Sequence, residues 1–409
     1  MATLPTTLDG FRVISGGLVA PRGFAGGGMV AGIKASGAKD LGAILSTVAP
    51  CTVAATFTQN RVRGASVEID AQRVAKGHAR AIVFNSGNAN TFTGPDGHAD
   101  ALRMASAFAV KHGLPEEEVL VASTGVIGFR LPMAKVLSGI DALTLDSTTG
   151  IDIAEAMMTT DAGPKTVAVE VPLPAGTVRI GGAAKGAGMV HPNMGTMFAF
   201  LTTDATLDRE MARRLFRTAV DASFNAISVD GDQSTSDSAM LLANGAAGAP
   251  GLADGSPAAA TFARALIAVC QHLAREIVRG GEGVTKVFAM EVRGGPDAPS
   301  ARRAARAVTT SLLVKTAVHG ADPNWGRVVM ALGNSGVAFD PATLDVWIGE
   351  TQVVAQGRPT SYDARSVSQH LRGADCRIAA DLHAGDARAV ALGCDLSKAY
   401  VDINAAYMT

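Results

Sequence analysis

The stretch Lys185 to Ala205 reads KGAGMVHPNMGTMFAFLTTDA, and it divides into two halves of opposite character. Its first half is rich in glycine and reads as a loop, part of a Gly-rich segment that begins at Gly181. Its second half opens with an apolar run, Met197 to Leu201, that predicts a buried strand. Thr196 stands at the junction. A threonine there is ordinarily just a β-branched strand former. The alternative is chemical: if the Gly195-Thr196 bond were cut, Thr196 would carry a free α-amine beside its own hydroxyl, and an N-terminal threonine can use that amine as general base. An α-amine has a reference pKa of about 7.7 to 8.0, so part of it is neutral near neutral pH.

Outward from this junction, strands alternate with helices. Valines 167, 169 and 171 share one face of a strand predicted from Lys165 to Val171, and further strands are expected at Ala81 to Phe84, Val119 to Ala122, Lys286 to Arg293 and Leu344 to Gly349. The clearest helix runs from Ser256 to Arg279. Ser256 supplies the N-cap, Pro257 fits the first turn, and Phe262, Leu266, Val269, Leu273 and Ile277 form one apolar stripe before Gly280 and Gly281 end it. Two more amphipathic helices are expected, Ala99 to Lys111 and Arg209 to Ala222. The class is α/β or α+β.

Composition narrows the function. The chain has 409 residues, room for roughly two to three domain-sized units, and only 18% of them are charged, so much of it is interior. Basic and acidic residues interleave to a net charge of −1, which leaves no electrostatic footprint for nucleic acid or an anionic membrane. No apolar run approaches the ~18 residues of a membrane span, and the first residues resemble neither a secretory leader nor a transit peptide. A cytoplasmic protein acting on small molecules is the expectation. Cys51, Cys270, Cys376 and Cys394 stand singly, which predicts buried, reduced thiols rather than zinc ligands or disulfides. There is no Walker-type phosphate loop and no G-x-S-x-G elbow.

The segment KGAGMVHPNMGTMFAFLTTDA resembles the processing and nucleophile segment of the ornithine acetyltransferase family, also called the glutamate N-acetyltransferase or arginine-biosynthesis bifunctional family. The resemblance runs along nearly the whole chain, through GIKASGAKDLG at Gly32, NSGNANTFTG at Asn85, STGVIG at Ser123, TTDAGPK at Thr159, EGVTK at Glu282, KTAVHGADPNWGRV at Lys315 and the terminal INAAYMT. It implies that the chain cuts itself between Gly195 and Thr196 into an α chain, residues 1–195, and a β chain, residues 196–409, that stay intertwined in one α/β fold of stacked sheets flanked by helices. Two of each chain are expected to assemble as a heterotetramer.

By the same resemblance, Thr196 is the nucleophile, while Thr124 and Gly125 form the oxyanion hole. Thr159, Lys185, Thr196, Glu282, Asn404 and Thr409 bind substrate. The charges suit an amino-acid ligand, since Lys185 can pair with a carboxylate and Glu282 with an ammonium. Taken singly, either would be read as a solvated surface charge. The activity implied is ping-pong transfer of acetyl from N-acetylornithine to glutamate, with acetyl-CoA expected as a further donor and no metal or organic cofactor required. Competing readings are a related amidase or β-aminopeptidase that passes the acyl group to water, an acetyltransferase for another N-acyl amino acid, and a binding protein on a dead scaffold. Gly195 stands where alanine is usual in the family, and His191 replaces a small or apolar residue; His191 either fills space or alters the electrostatics of the processing loop.

Overall fold

In a computed structural model of the chain, residues 8–191 and 197–405 are described. The expectations for Gly195, Thr196 and Thr409 lie outside the described residues. A six-stranded sheet forms the centre, in the order Arg12–Ile14, Lys165–Leu173, Gly176–Lys185, Phe198–Thr203, Ser238–Ala243 and Thr52–Phe57. Strands from before and after residue 195 are therefore neighbours in one sheet. Phe198–Thr203 pairs antiparallel with Gly176–Lys185 on one side and parallel with Ser238–Ala243 on the other.

The period-two alternation of a strand gives Phe198–Thr203 two different faces. Phe198 and Phe200 turn toward a second, four-stranded sheet of order Phe24–Met29, Leu41–Ser46, Ala81–Asn88 and Val119–Val126, packing with Phe84, Ile82 and Leu120. Ala199 and Leu201 turn the other way, onto the helices Arg209–Asp221 and Pro257–Arg279. The helices Ala65–Val74, Gly94–His112 and Met133–Ala142 cover the far face of the four-stranded sheet. The result is two stacked sheets between two helical layers. Burial on both sides explains why the run from Met197 lacks polar interruption until Thr202.

The long helix forms as its sequence requires. Ser256 accepts a hydrogen bond from the amide of Ala259, Pro257 opens the first turn, and Phe262, Leu266, Val269, Leu273 and Ile277 are wholly buried. Each such side chain stabilises the fold by about 1.5–3 kcal/mol, so Leu273→Ala, which also opens a cavity, would cost about 2–5 kcal/mol.

The Gly-rich run is only partly the loop that its composition suggests, because Gly176–Lys185 is a strand. Two of its glycines are required by close packing rather than flexibility. A Cβ on Gly181 would lie 2.1 Å from the Gly17 carbonyl oxygen, and one on Gly182 would lie 2.9 Å from Leu273. A third sheet, of order Arg358–Pro359, Thr351–Ala355, Asp345–Ile348, Asp375–Asp381, Val287–Gly295 and Ala387–Cys394, holds its own core with the helices Ala298–Thr310, Leu312–Gly320 and Trp325–Gly333. All four cysteines are buried and unpaired. Among the described residues, no helix is long and apolar enough to cross a membrane.

Candidate active site

Six of the expected site residues, Thr124, Gly125, Thr159, Lys185, Glu282 and Asn404, line one cavity of about 400 Å³. They come from five segments far apart in sequence. Thr124 and Gly125 sit near the end of Val119–Val126, where its parallel ladder with Ala81–Asn88 becomes irregular. Gly125 has φ +129°, and a Cβ there would meet the Gly87 carbonyl carbon at 2.4 Å. Only glycine fits both the conformation and the space. The NSGNAN block supports this turn. Ser123 donates to Asn85 Oδ1 at 2.7 Å, and the Asn85 side-chain amide donates to the Asn88 carbonyl oxygen at 2.9 Å.

Lys185 ends its strand with a side chain that is 1% exposed, not the solvated surface charge expected of a lone lysine. Its Nζ lies 3.4 Å from Thr159 Oγ1 and 5.5 Å from the centre of the Phe198 ring. Burial lowers its pKa to about 8; the carboxylates of Asp161 and Asp237 act in the other direction. Asp161 organises the surroundings. Its Oδ1 accepts from Lys165 Nζ at 2.5 Å and from the Gly186 amide at 2.8 Å, and its Oδ2 accepts from the Thr159 amide at 3.0 Å. Although burial opposes its ionisation, Lys165, Lys185 and the Gly186 amide hold its carboxyl below the usual range.

Also lining the cavity, Glu282 Oε2 accepts from the Asn404 side-chain amide at 2.8 Å, and the Glu282 backbone amide donates to the Ala187 carbonyl oxygen at 3.0 Å. The backbone of Gly188 lies against the Glu282 carboxylate, where a Cβ would come within 2.5 Å of Oε2. Asn404 belongs to the helix Lys398–Ala405, which also brings Tyr400 to the cavity. Burial, and then the carboxylates of Asp230, Glu282 and Asp232, push the Tyr400 phenol up.

The segment Met189 to His191 is held from two directions. Asp230 accepts from the amides of Met189 at 2.5 Å and Val190 at 2.9 Å, and burial raises its pKa to about 6. His191 is bonded through Nε2 to Arg306 at 3.0 Å and lies 3.4 Å from Ser228 Oγ through Nδ1. Burial and then the Arg306 charge lower the His191 pKa to about 4, so the ring is neutral near pH 7. His191 thus does more than fill space. On the exit side, Asp237 Oδ1 accepts from the Met197 amide at 2.8 Å.

The cavity is lined by an amine, a carboxylate and a Thr-Gly turn, and two acids, Asp230 and Asp237, hold the segments on either side of residues 192–196. Such a site can clamp a zwitterionic amino acid by both ends while donors at the turn face a reacting carbonyl. Asp161, Asp230, Asp237 and Tyr400 were not anticipated from the sequence. Asp161 was within reach, because it sits in the TTDAGPK block. The others lie in segments whose polarity suggests exposed loops.

The chain matches a protein-family model, described as the ArgJ family, over residues 25–409. It is 48% identical to the arginine biosynthesis bifunctional protein ArgJ of Symbiobacterium thermophilum over 97% of this chain and 99% of that one. It is 44% identical to that of Dehalococcoides mccartyi over 96% and 98%. The crystal structure of the Bacillus halodurans arginine biosynthesis bifunctional protein argJ is similar at a TM-score of 0.50 and 38% identity, over 51% of this chain and 98% of the matched one. With a family match and relatives that extend over nearly its full length, the chain belongs to the ArgJ family.

Proposed function

We propose that this chain is an acetyltransferase of arginine biosynthesis that moves acetyl from N-acetylornithine to glutamate through an ester on Thr196, after cutting itself between Gly195 and Thr196. The observation that carries this reading is the meeting of Thr124, Gly125, Thr159, Lys185, Glu282 and Asn404 around one cavity. In self-cleavage the Thr196 hydroxyl adds to the Gly195 carbonyl, a C–O bond replaces the C–N bond, and the hydroxyl proton ends on the departing nitrogen. Water then hydrolyses the ester. The matched Bacillus halodurans chain corresponds to about half of this one, a length that fits a protein divided near residue 195.

In the transfer reaction the freed amine takes the Thr196 hydroxyl proton as the oxygen attacks the acetyl carbonyl. Thr124 and Gly125 donate to the developing oxyanion. The proton passes to the α-nitrogen of ornithine as that C–N bond breaks, and glutamate's neutral amine then takes the acetyl group from the ester. Lys185 reads the carboxylate and Glu282 the ammonium that N-acetylornithine keeps on its side chain. Thr159, Asn404 and Thr409 complete the substrate contacts. Acetyl-CoA acts as a second donor, two α and two β chains form the working unit, and the enzyme is cytoplasmic.

The test is to incubate purified protein with glutamate and either labelled N-acetylornithine or labelled acetyl-CoA, and to measure N-acetylglutamate. Glutamate-dependent transfer from acetylornithine is expected, with a new N-terminus reading Thr-Met-Phe-Ala. Thr196→Ala should stay whole and inactive. Release of acetate without transfer, or activity in an uncut Thr196→Ala chain, would sink the reading.

A further inference from the structure

Phe92 is costly in two ways. It is a bulky residue held at φ +60°, in the left-handed region that suits glycine or asparagine, and it is 81% exposed, so little packing offsets the strain. Strained backbone of this kind recurs at functional sites. The bonds around Phe92 place it at the edge of the cavity already described. Ala89 and Ile127 both line that cavity. The Ala89 amide donates to the Val126 carbonyl oxygen at 3.0 Å, and the Gly128 amide donates to the Thr91 carbonyl oxygen at 3.0 Å. Phe92 and Phe129 thus each follow directly on one partner of the Thr91–Gly128 bond. Phe129 is exposed as well.

A second segment reaches the same edge. Arg61, Val62 and Arg63 are all exposed, and they are anchored at both ends to residues that line the cavity. The Asn60 side-chain amide donates to the Gln233 carbonyl oxygen at 3.0 Å, and the Gly64 amide donates to the Thr235 carbonyl oxygen at 2.9 Å. The two segments meet through the Ala65 amide, which donates to the Asn90 carbonyl oxygen at 3.3 Å, and through Thr91 Oγ1, which lies 3.3 Å from Ser236 Oγ. Arg130, next to Phe129, is paired with Asp96 and Asp100. Among the described residues, Arg61 and Arg63 have neither a hydrogen bond nor an ion pair from their guanidinium groups.

The edge therefore combines exposed aromatic rings with uncompensated guanidinium groups. Aromatic faces stack on nucleobases, and a guanidinium fork matches a phosphate. A cavity of about 400 Å³ accommodates an amino acid and an acetyl group, so a nucleotide attached to the acetyl group has to stay outside it.

We propose that Arg61, Arg63, Phe92 and Phe129 form a docking rim for the nucleotide end of acetyl-CoA, the guanidinium groups on its phosphates and the aromatic rings against its adenine, with the thioester arm passing Ile127 into the cavity. The proposal rests on the reading of acetyl-CoA as the second donor. In that acylation the Thr196 oxygen forms the ester bond as the C–S bond breaks, and the hydroxyl proton, taken first by the α-amine, leaves on the sulfur of free CoA. N-acetylornithine carries no nucleotide and needs no rim. The rim therefore separates the two donors.

The test compares both donors in self-processed parent and variants, with glutamate as acceptor. The double variant Arg61→Gln, Arg63→Gln should raise KM for acetyl-CoA at least tenfold and leave transfer from N-acetylornithine within twofold. Phe92→Asn removes the ring and keeps a residue that tolerates the left-handed conformation. It should melt no lower than the parent while raising KM for acetyl-CoA about fivefold. Calorimetric binding of free CoA, which needs no turnover, should weaken by the same factors. Acetyl-CoA KM and CoA affinity that match the parent's in both variants overturn the proposal, as does a folded double variant that loses both donors equally. A change in sedimentation on Phe92→Asn with CoA affinity intact also overturns it and assigns the rim to a contact between copies of the chain. A parent that uses acetyl-CoA while the variants are unaffected defeats this inference alone. A parent that transfers from N-acetylornithine but neither uses acetyl-CoA nor binds CoA defeats the second-donor reading, and this inference with it.

Discussion

The Asn404 side-chain amide donates to Glu282 Oε2 at 2.8 Å, and this bond ties the last described helix to the wall of the cavity. Asn404 also donates to the Tyr400 carbonyl oxygen at 3.0 Å, so both of its amide hydrogens are used and the side chain has one orientation. Its partner carboxylate is thereby aimed rather than free to rotate. A hydrogen bond to a charged group contributes about 1.5–3 kcal/mol. Asn404→Leu should raise KM for N-acetylornithine roughly tenfold to a hundredfold, with kcat changed much less. Steady-state kinetics that match the parent's would show that the Glu282 carboxylate needs no such support.

Gly188 offers a probe of the same wall without touching Glu282 itself. An alanine Cβ there would lie 2.5–2.8 Å from the Glu282 carboxyl atoms, and nothing else is as close. The carboxylate is the far end of a flexible side chain and can swing aside, so Gly188→Ala should fold normally and lose donor affinity. The expected result is a melting temperature within a few degrees of the parent's together with a KM raised at least tenfold. An unchanged KM would mean that the observed position of Glu282 does not matter to binding.

At the Thr124–Gly125 turn the two residues should fail differently. Thr124→Ala removes a hydroxyl and keeps the backbone, and if that hydroxyl donates to the oxyanion, kcat should drop about 10² to 10³-fold. Gly125→Ala forces a Cβ against backbone at 2.4 Å with φ +129°, so it should destabilise the fold as a whole. Thermal melts beside kinetics separate the two. A folded, cut Thr124→Ala protein with nearly parental kcat would remove Thr124 from the mechanism.

Much of this architecture was legible in the sequence because local and tertiary preferences agree. The helix ending at Arg279 carries its cap, its stripe and its terminator in plain order, and the valines at 167, 169 and 171 all enter the same core. The Gly176–Lys185 strand was obscured because its glycines answer to Gly17 and Leu273, neighbours that no local window contains. Asp237 was hidden for a related reason. The run from Ser228 to Ser238 is polar, which reads as exposed, yet Ser228, Ser234, Ser236, Asp237 and Ser238 are all buried. Their burial comes from packing between strands far apart in sequence. Lys185 and Glu282 could be named as site residues only through the family resemblance, since an isolated lysine or glutamate carries no sign of the cavity it will face.

His191 should make stability depend on mildly acidic pH. Its folded pKa of about 4 lies below the ordinary histidine value of 6.5, so between those limits the unfolded chain binds more protons. The stability contributed by the neutral ring is present above pH 6.5 and is lost as pH falls toward 4. His191→Gln removes this titration while keeping a polar group near Ser228 and Arg306. The difference in unfolding free energy between parent and variant should be flat above pH 6.5 and fall below it. Parallel curves from pH 4 to 7 would show that the ring is not held neutral.

Lys185 should produce two opposed slopes on the alkaline side. Burial lowers its pKa to about 8 from the ordinary 10.5, so below pH 8 the folded chain holds a charged amine at a cost in stability. Between 8 and 10.5 the unfolded chain binds the extra proton, and the Lys185 contribution to stability becomes more favourable as pH rises through that window. On the proposed role of its ammonium, recognition changes in the other sense. Losing the proton removes the partner of the substrate carboxylate, so KM should rise about tenfold per pH unit above 8 while remaining level below 7. Lys185→Met removes both effects: it should bind substrate poorly at every pH and show no Lys185-dependent stability change between pH 8 and 10. Measurements of KM and unfolding free energy across pH 7 to 10 test the pair together. A parent KM that stays flat through pH 9 would show that the buried amine does not read the substrate carboxylate.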